Sequence, residues 1–294
     1  MSPLAEIQLV AGRELRRSVR SAKGIVLGVL TLLGATVSAL VCVRIEASER
    51  AAAKALSNEG FVEAKRQLFE RVTGDDALAA YMARVPTSLI VFLKITVWFL
   101  PLLVALLGFD TVSADLQHRS VRFWAVRVRR GSYFTGKLLG LWATVALIAL
   151  ALNVLADAVA VARGYVTIGQ AAGWGLKFWL VAVVIAGAWA GVATLISSCF
   201  RAPILALLTT FAAFFVLWLF GIGGFFARVG ESVDHGMAAA AKEMSWYEYL
   251  YPNAYDTMLV GPDPARVLTA VAILAGFTVA VGALGSLLFA RRDV

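Results

Sequence analysis

Six stretches of this chain are each long and apolar enough to cross a lipid bilayer, and that pattern narrows the fold more than any other feature. A span needs about 20 mostly apolar residues to cover ~30 Å of hydrocarbon. The runs are 24–43, 89–109, 138–162, 176–200, 202–226 and 267–290. Lipid offers the backbone no hydrogen-bond partners, so each run must be helical. Composition agrees: 60% of the 294 residues are hydrophobic and 16% are charged, against roughly 25% charged in an average soluble domain. The expected fold class is an all-α integral membrane protein, with a single six-helix transmembrane domain over 1–294. The fourth and fifth runs form a tight hairpin around Arg201, with Pro203 suited to a helix start.

Six spans place both ends of the chain on one side. That side carries five Lys/Arg before Gly24, six in 110–137, and Arg201, Arg291 and Arg292, against Glu6, Glu14, Asp110, Asp115 and Asp293. The formal excess of +8 is thus concentrated on one face, which the positive-inside rule makes cytoplasmic. The basic balance reports topology and attraction to anionic lipid heads, with no nucleic acid among the expected partners. The expected location is a bacterial inner (plasma) membrane. No short apolar core with a small-x-small cleavage site is clear in the N-terminal run, so the first span reads as a retained anchor. Cys42 and Cys199 fall near opposite faces, too far apart for a bridge. His118 and His235 lie in different loops on opposite sides, and no Cys/His cluster predicts a metal or redox cofactor.

Three parts lie outside the spans. Residues 1–23 set Ile7, Val10 and Leu15 among Arg13, Arg16, Arg17 and Arg20, the spacing of an amphipathic helix at the cytoplasmic interface. Residues 44–88 predict two or three external helices broken at Gly60 and Gly74, with Leu68, Phe69, Leu78 and Tyr81 on a buried face. Residues 227–266 form a second external segment whose Trp246, Tyr247, Tyr249 and Tyr251 suit the headgroup region as an interfacial belt. Inside the spans, Lys94 and Asp157 are the charges to explain. Intramembrane charge is a functional candidate by default, and these two either pair with each other or line an outward cavity.

The stretch RRGSYFTGKLLG, Arg129 to Gly140, comes within one residue of a phosphate-binding loop, with Leu138 where Ser or Thr would coordinate Mg²⁺. Such a loop needs a buried strand before it and a soluble domain around it. Here a charged VRVRR precedes and a membrane span follows, so Gly136-Lys137 reads as the entry into the third span. The loop 110–137 itself predicts a short helix with Leu116, Val121, Phe123 and Trp124 among six basic residues, a docking knob for another protein. An intramembrane enzyme is not expected, because no span holds a convergent Ser/His, paired-Asp or metal-ligand set. No convincing internal repeat of the kind found in ion-driven carriers joins 1–150 to 151–294; Gly221 to Gly224 break the fifth span only near its outer end.

At the loop residues the chain resembles the membrane subunits of ABC exporters of the type-2 permease class. Members follow the second span with an acidic residue, a Gly-Thr-hydrophobic run, a basic residue, and an aliphatic Gly-Lys that enters the third span. Asp115 stands for the acidic residue, Arg119-Ser120-Val121 for Gly-Thr-hydrophobic, Arg130 for the basic residue and Gly136-Lys137 for the close. A frequent Pro ahead of the basic residue is missing and the loop is slightly shorter, while the ending FARRDV also matches the class. The resemblance covers the whole chain. It implies a permease, an exporter, without catalytic residues of its own, paired with a second permease copy (homodimer or similar subunit). Two separate ATP-binding subunits, which hold the ATP and Mg, would dock on the coupling helix through Asp115, Leu116, Arg119, Ser120, Val121, Phe123 and Trp124. Arg119 in place of Gly bears on which ATPase is accepted. Permeases of this kind also serve motility, assembly or metalloenzyme-maturation systems; an ion-coupled secondary transporter using Lys94 and Asp157 is the remaining alternative.

Overall fold

Every backbone N–H and C=O in lipid must find its partner within the protein, and the described residues meet that demand with helices and no strand. A computed structural model describes residues 2–235 and 246–291. In chain order its helices are α1 (Pro3–Arg20), α2 (Ala22–Leu56), α3 (Asn58–Thr73), α4 (Asp76–Ala83), α5 (Thr87–Gly108), α6 (Ser113–Gln117), α7 (Val121–Ala125), α8 (Arg130–Ala162), α9 (Ile168–Cys199), α10 (Pro203–His235), α11 (Asp256–Val260) and α12 (Pro264–Ala290). Six of them, α2, α5, α8, α9, α10 and α12, are long and apolar enough to span a membrane. The all-α fold with six crossing helices is therefore as the sequence predicts.

The helices run further than the apolar runs. α2 has 35 residues, ~52 Å at 1.5 Å per residue, and so carries on past Arg44 into the region read as a separate excursion. It ends at Ser57, which takes a left-handed φ of 68°. Gly60, read as the break, lies inside α3, whereas Gly74 does close α3 at φ 66°. On α3 and α4, Leu78 is buried, Phe69 and Tyr81 are half-buried, and Leu68 faces outward. α8 and α9 each begin about two turns before their apolar runs, because polar first turns carry no hydropathy signal. For α9 a legible signal was present: Thr167 and Gln170 form a reciprocal capping box.

α9 is the axis of the bundle, packed by α5, α8, α10 and α12. Its small residues, from Ala186 through Gly187, Ala188, Ala190 and Gly191 to Ala193, are buried and let neighbouring helices approach closely. Outer faces keep exposed Leu30 and Leu33 on α2, Leu208 on α10 and Val279 on α12, apolar surface that only lipid or another membrane helix solvates.

The segment after α10 folds back onto the bundle. Residues 236–245 and 292–294, which hold part of the second external segment and the end of the C-terminal motif, lie outside the described residues. Trp246 and Tyr249 are exposed, whereas Tyr251 turns inward onto the Trp189 ring, centroids 6.0 Å apart. α10 stays helical through Gly221, Gly223 and Gly224, so the predicted break there does not occur. The Tyr251 ring and the Glu248 side chain pack where those glycines leave no side chain. Deeper in, Asn253 accepts a hydrogen bond from Trp189 Nε1 (2.8 Å) and donates to the Val97 carbonyl (2.8 Å).

Candidate functional site

The loop between α5 and α8 is fastened at its start by a serine. Ser197 Oγ, near the end of α9, accepts from the backbone N–H of Val112 (3.0 Å) and Ser113 (3.1 Å) and donates to the Phe109 carbonyl (2.7 Å). These are groups that a helix end and a short α6 leave without helical partners. Lys23, at the head of α2, pairs with Asp110 and donates to the Leu107 carbonyl (3.1 Å). Ser197 lies in an apolar run with no motif around it, so no sequence signal marks it.

The middle of the loop is held by a buried ionic cluster. Lys137 Nζ lies 2.6 Å from Glu14 of α1 and 2.7 Å from Asp115 of α6, with its side chain 4% exposed. Asp115 also accepts from Tyr133 Oη (2.6 Å) and Ser120 Oγ (2.9 Å), and Arg17 stands 3.7 Å away. Burial pushes the Asp115 carboxyl up, but the Lys137 charge and the bonds from Lys137, Tyr133 and Ser120 outweigh it and hold the group below the ordinary carboxylate range. Glu6, one face-repeat before Glu14, accepts from the Arg129 N–H (3.2 Å). Its carboxyl is likewise held low, by Ser132 first and then by Arg129.

Close approach of α1 to α8 makes this cluster possible. A methyl group at Gly136 would lie 2.6 Å from Val10 Cβ, and one at Gly140 would lie 2.6 Å from Glu14 Cβ. The two glycines, four apart, form a groove that receives α1. Residues 130–137 are therefore the first turns of a helix, and the lysine of the near-motif is neutralised by two carboxylates of this chain. The side of α1 carrying Val10 faces α8, accompanied by Glu6 and Glu14 instead of the apolar partners expected from Ile7 and Leu15.

Around the ions lies a small apolar core of Val10, Val112, Val121, Val128, Tyr133, Phe134 and Phe289, with Leu116 and Trp124 half-buried against it. Arg13 stacks on the Trp124 ring at 4.7 Å. Of the seven residues expected to dock a partner, Asp115, Ser120 and Val121 point inward and Leu116 and Trp124 are half-buried, leaving Arg119 and Phe123 outward. Phe123 is 79% exposed and Val126, three residues on, is 88% exposed. Arg119 takes φ 55°, a left-handed conformation that favours glycine, at the position where the resembling class carries one.

Lys94 and Asp157 do not meet. Lys94 Nζ pairs with Asp256 of α11 at 2.6 Å, a partner supplied by the segment that folds back and hidden from sequence because nothing marks that return. Asp157 points from α8 to α9, packed on Gly175 beside Asn153, and its buried Oδ1 makes no hydrogen bond.

Six helices long and apolar enough to cross a membrane, with both described ends and a tied, partly exposed loop gathered at one end, define a multi-pass membrane protein lacking a soluble domain among its described residues. A family model for ABC-2 family transporter proteins matches residues 8–294. The chain belongs to that family, whose permeases work with an ATP-binding partner. A search of curated proteins finds no match.

Proposed function

We propose that the chain is the permease subunit of an ATP-driven exporter, driven by a separate ATP-binding subunit that docks on the loop 110–129 from the cytoplasm. One observation carries the reading: the loop is fastened to α1, α8 and α9 by buried polar bonds, yet it presents Phe123 and Val126 to solvent. A solvated loop has no need of such fastening, whereas a lever must be stiff where it meets its driver. Force on α7 would pass through Val121 and Trp124 to Tyr133, and through Asp115 to Lys137, into the first turns of α8. A rigid-body reorientation of the spans follows when two such ends are drawn together, so a second permease copy and two ATPase copies complete the machine. ATP and Mg belong to the partner, and this chain supplies no catalytic group.

The test is a mild-detergent pull-down of the tagged protein from its native membrane, with ATPase activity assayed. A co-purifying ATP-hydrolysing subunit is expected, and Asp115→Ala and Trp124→Ala should reduce transport by about tenfold or more, since each removes a link worth roughly 1–3 kcal/mol. Unchanged transport in both variants would count against the loop as the lever.

The low carboxyl of Asp115 fixes the pH window of the contact. A group whose folded pKa is depressed contributes stability above its unfolded value of ~3.9 and loses it as pH falls through the lower folded value. Hydrogen exchange of peptides covering 110–130, corrected for intrinsic rate, should therefore stay level from neutral pH to about 4 and quicken only below it. Asp115→Asn should exchange faster already at neutral pH.

A further inference from the structure

Resting on the docking role of the loop, we infer that the surface it enters on the ATP-binding subunit is an apolar cleft rimmed by carboxylates. The loop sorts its charges by sign. Its two acidic residues are both consumed inside the chain, Asp110 by Lys23 and Asp115 by Lys137. Its basic residues Arg119, Arg122 and Arg127 are exposed, and among the described residues none of the three takes part in an ion pair. α1 repeats the arrangement, with Glu6 and Glu14 turned to α8 and Arg16 and Arg20 outward.

The apolar knob, Phe123 and Val126, lies in the chain between the exposed arginines Arg122 and Arg127. On a helix at 100° per residue, Val121 and Trp124 share one side, while Arg122, Phe123 and Val126 share the other. The first side packs on Tyr133 and Phe289, the ends of α8 and α12. The second side therefore points away from the ends of α8 and α12. Two exposed apolar side chains flanked in the chain by exposed guanidiniums that make no ion pair among the described residues are complementary to a protein cleft with an apolar floor and an acidic rim. Such rims steer association and set which partner is accepted more than they add affinity. Trp124, clasped by Arg13 and Tyr133, positions the knob and does not itself enter the cleft.

The experiment places the photo-crosslinking residue p-benzoylphenylalanine at Val126 and irradiates native membranes, followed by peptide mapping and by pull-down of Arg122→Glu/Arg127→Glu and Phe123→Ala. Expected are a cross-link to a peptide of the ATP-hydrolysing subunit that contains Asp or Glu, and at least a roughly tenfold loss of retained ATPase in the double reversal. For the unaltered chain, retention should fall when NaCl is raised from about 50 to about 500 mM, since rim charges are screened. Phe123→Ala should lose the partner at both salt levels, and hydrogen exchange of α9 should match the parent in every variant. A cross-link to an ATPase peptide without carboxylates, with retention indifferent to reversal and salt, would overturn the acidic rim and leave the docking role standing. Cross-linking to lipid alone would overturn it in favour of a membrane contact. Absence of any ATPase from the unaltered, irradiated sample would remove the docking role itself, and the inference with it.

Discussion

Replacing Lys137 by methionine is expected to free α1 and the loop from α8, the largest single effect available at this end of the molecule. Lys137 is buried between Glu14 and Asp115, whose side chains are 8% and 15% exposed. Removing one partner of a buried pair leaves uncompensated charge and costs about 3–5 kcal/mol. Here two carboxylates lose their nearest cation, at 2.6 and 2.7 Å, and keep only the longer pairs to Arg17, 3.7 Å from Asp115 and 4.0 Å from Glu14. The measurement is native-state hydrogen exchange: peptides covering 3–20 and 110–130 should exchange two to three orders of magnitude faster, since each 1.4 kcal/mol is about tenfold. Peptides of α9 between 181 and 194, packed on all sides, should not change. Substituting all three members together, Glu14→Gln, Asp115→Asn and Lys137→Met, should recover most of the protection, because the desolvation cost disappears along with the attraction. If Lys137→Met alone leaves exchange unaltered, the ionic cluster is not what holds the lever.

The contrast between Lys137 and its surroundings shows what could be read from the chain and what could not. Hydropathy was enough for the six spans, because lipid imposes one requirement on every residue of a run. Gly136-Lys137 was visible as the start of an apolar run for the same reason, although the helix itself begins at Arg130. The partners of Lys137 were not, since Glu14 is 123 residues away in sequence and only the packing of α1 into the Gly136–Gly140 groove brings it near. A stripe of Glu6, Val10 and Glu14 is a signal of sorts, four residues apart on one helical face, but it reads equally well as solvated. Lys94 illustrates the opposite failure. Period and depth placed it correctly inside a span, and the partner was still misassigned, because Asp256 arrives from a loop whose return has no sequence mark. Phe123 and Trp124 looked alike as exposed aromatics, and only the arrangement of α7 separates the tied ring from the free one.

The same returning segment carries the second large expectation, which turns on a proline. Pro101 lies inside α5 and has no N–H, so the carbonyl four residues earlier, that of Val97, loses its helical donor. Asn253 Nδ2 supplies the missing bond at 2.8 Å, and the Asn253 Oδ1 accepts from the fully buried Trp189 indole at 2.8 Å. Two buried polar groups on two spans thus depend on one side chain from outside the helical ladder. A donor or acceptor left unsatisfied inside a protein costs about 1–3 kcal/mol, and lipid offers no rescue. Asn253→Ala should therefore lower protection of both the 95–105 region of α5 and the Trp189 turn of α9 by about 2–5 kcal/mol together. Pro101→Ala restores a backbone N–H to Val97, so in that background the same Asn253→Ala change should cost about 1–2 kcal/mol less, the coupling a double-mutant cycle isolates. The saving should appear in α5 and not at Trp189, whose indole stays unpaired in either background. Equal costs in the two backgrounds would mean that Asn253 serves Trp189 alone and that the Pro101 site is satisfied some other way.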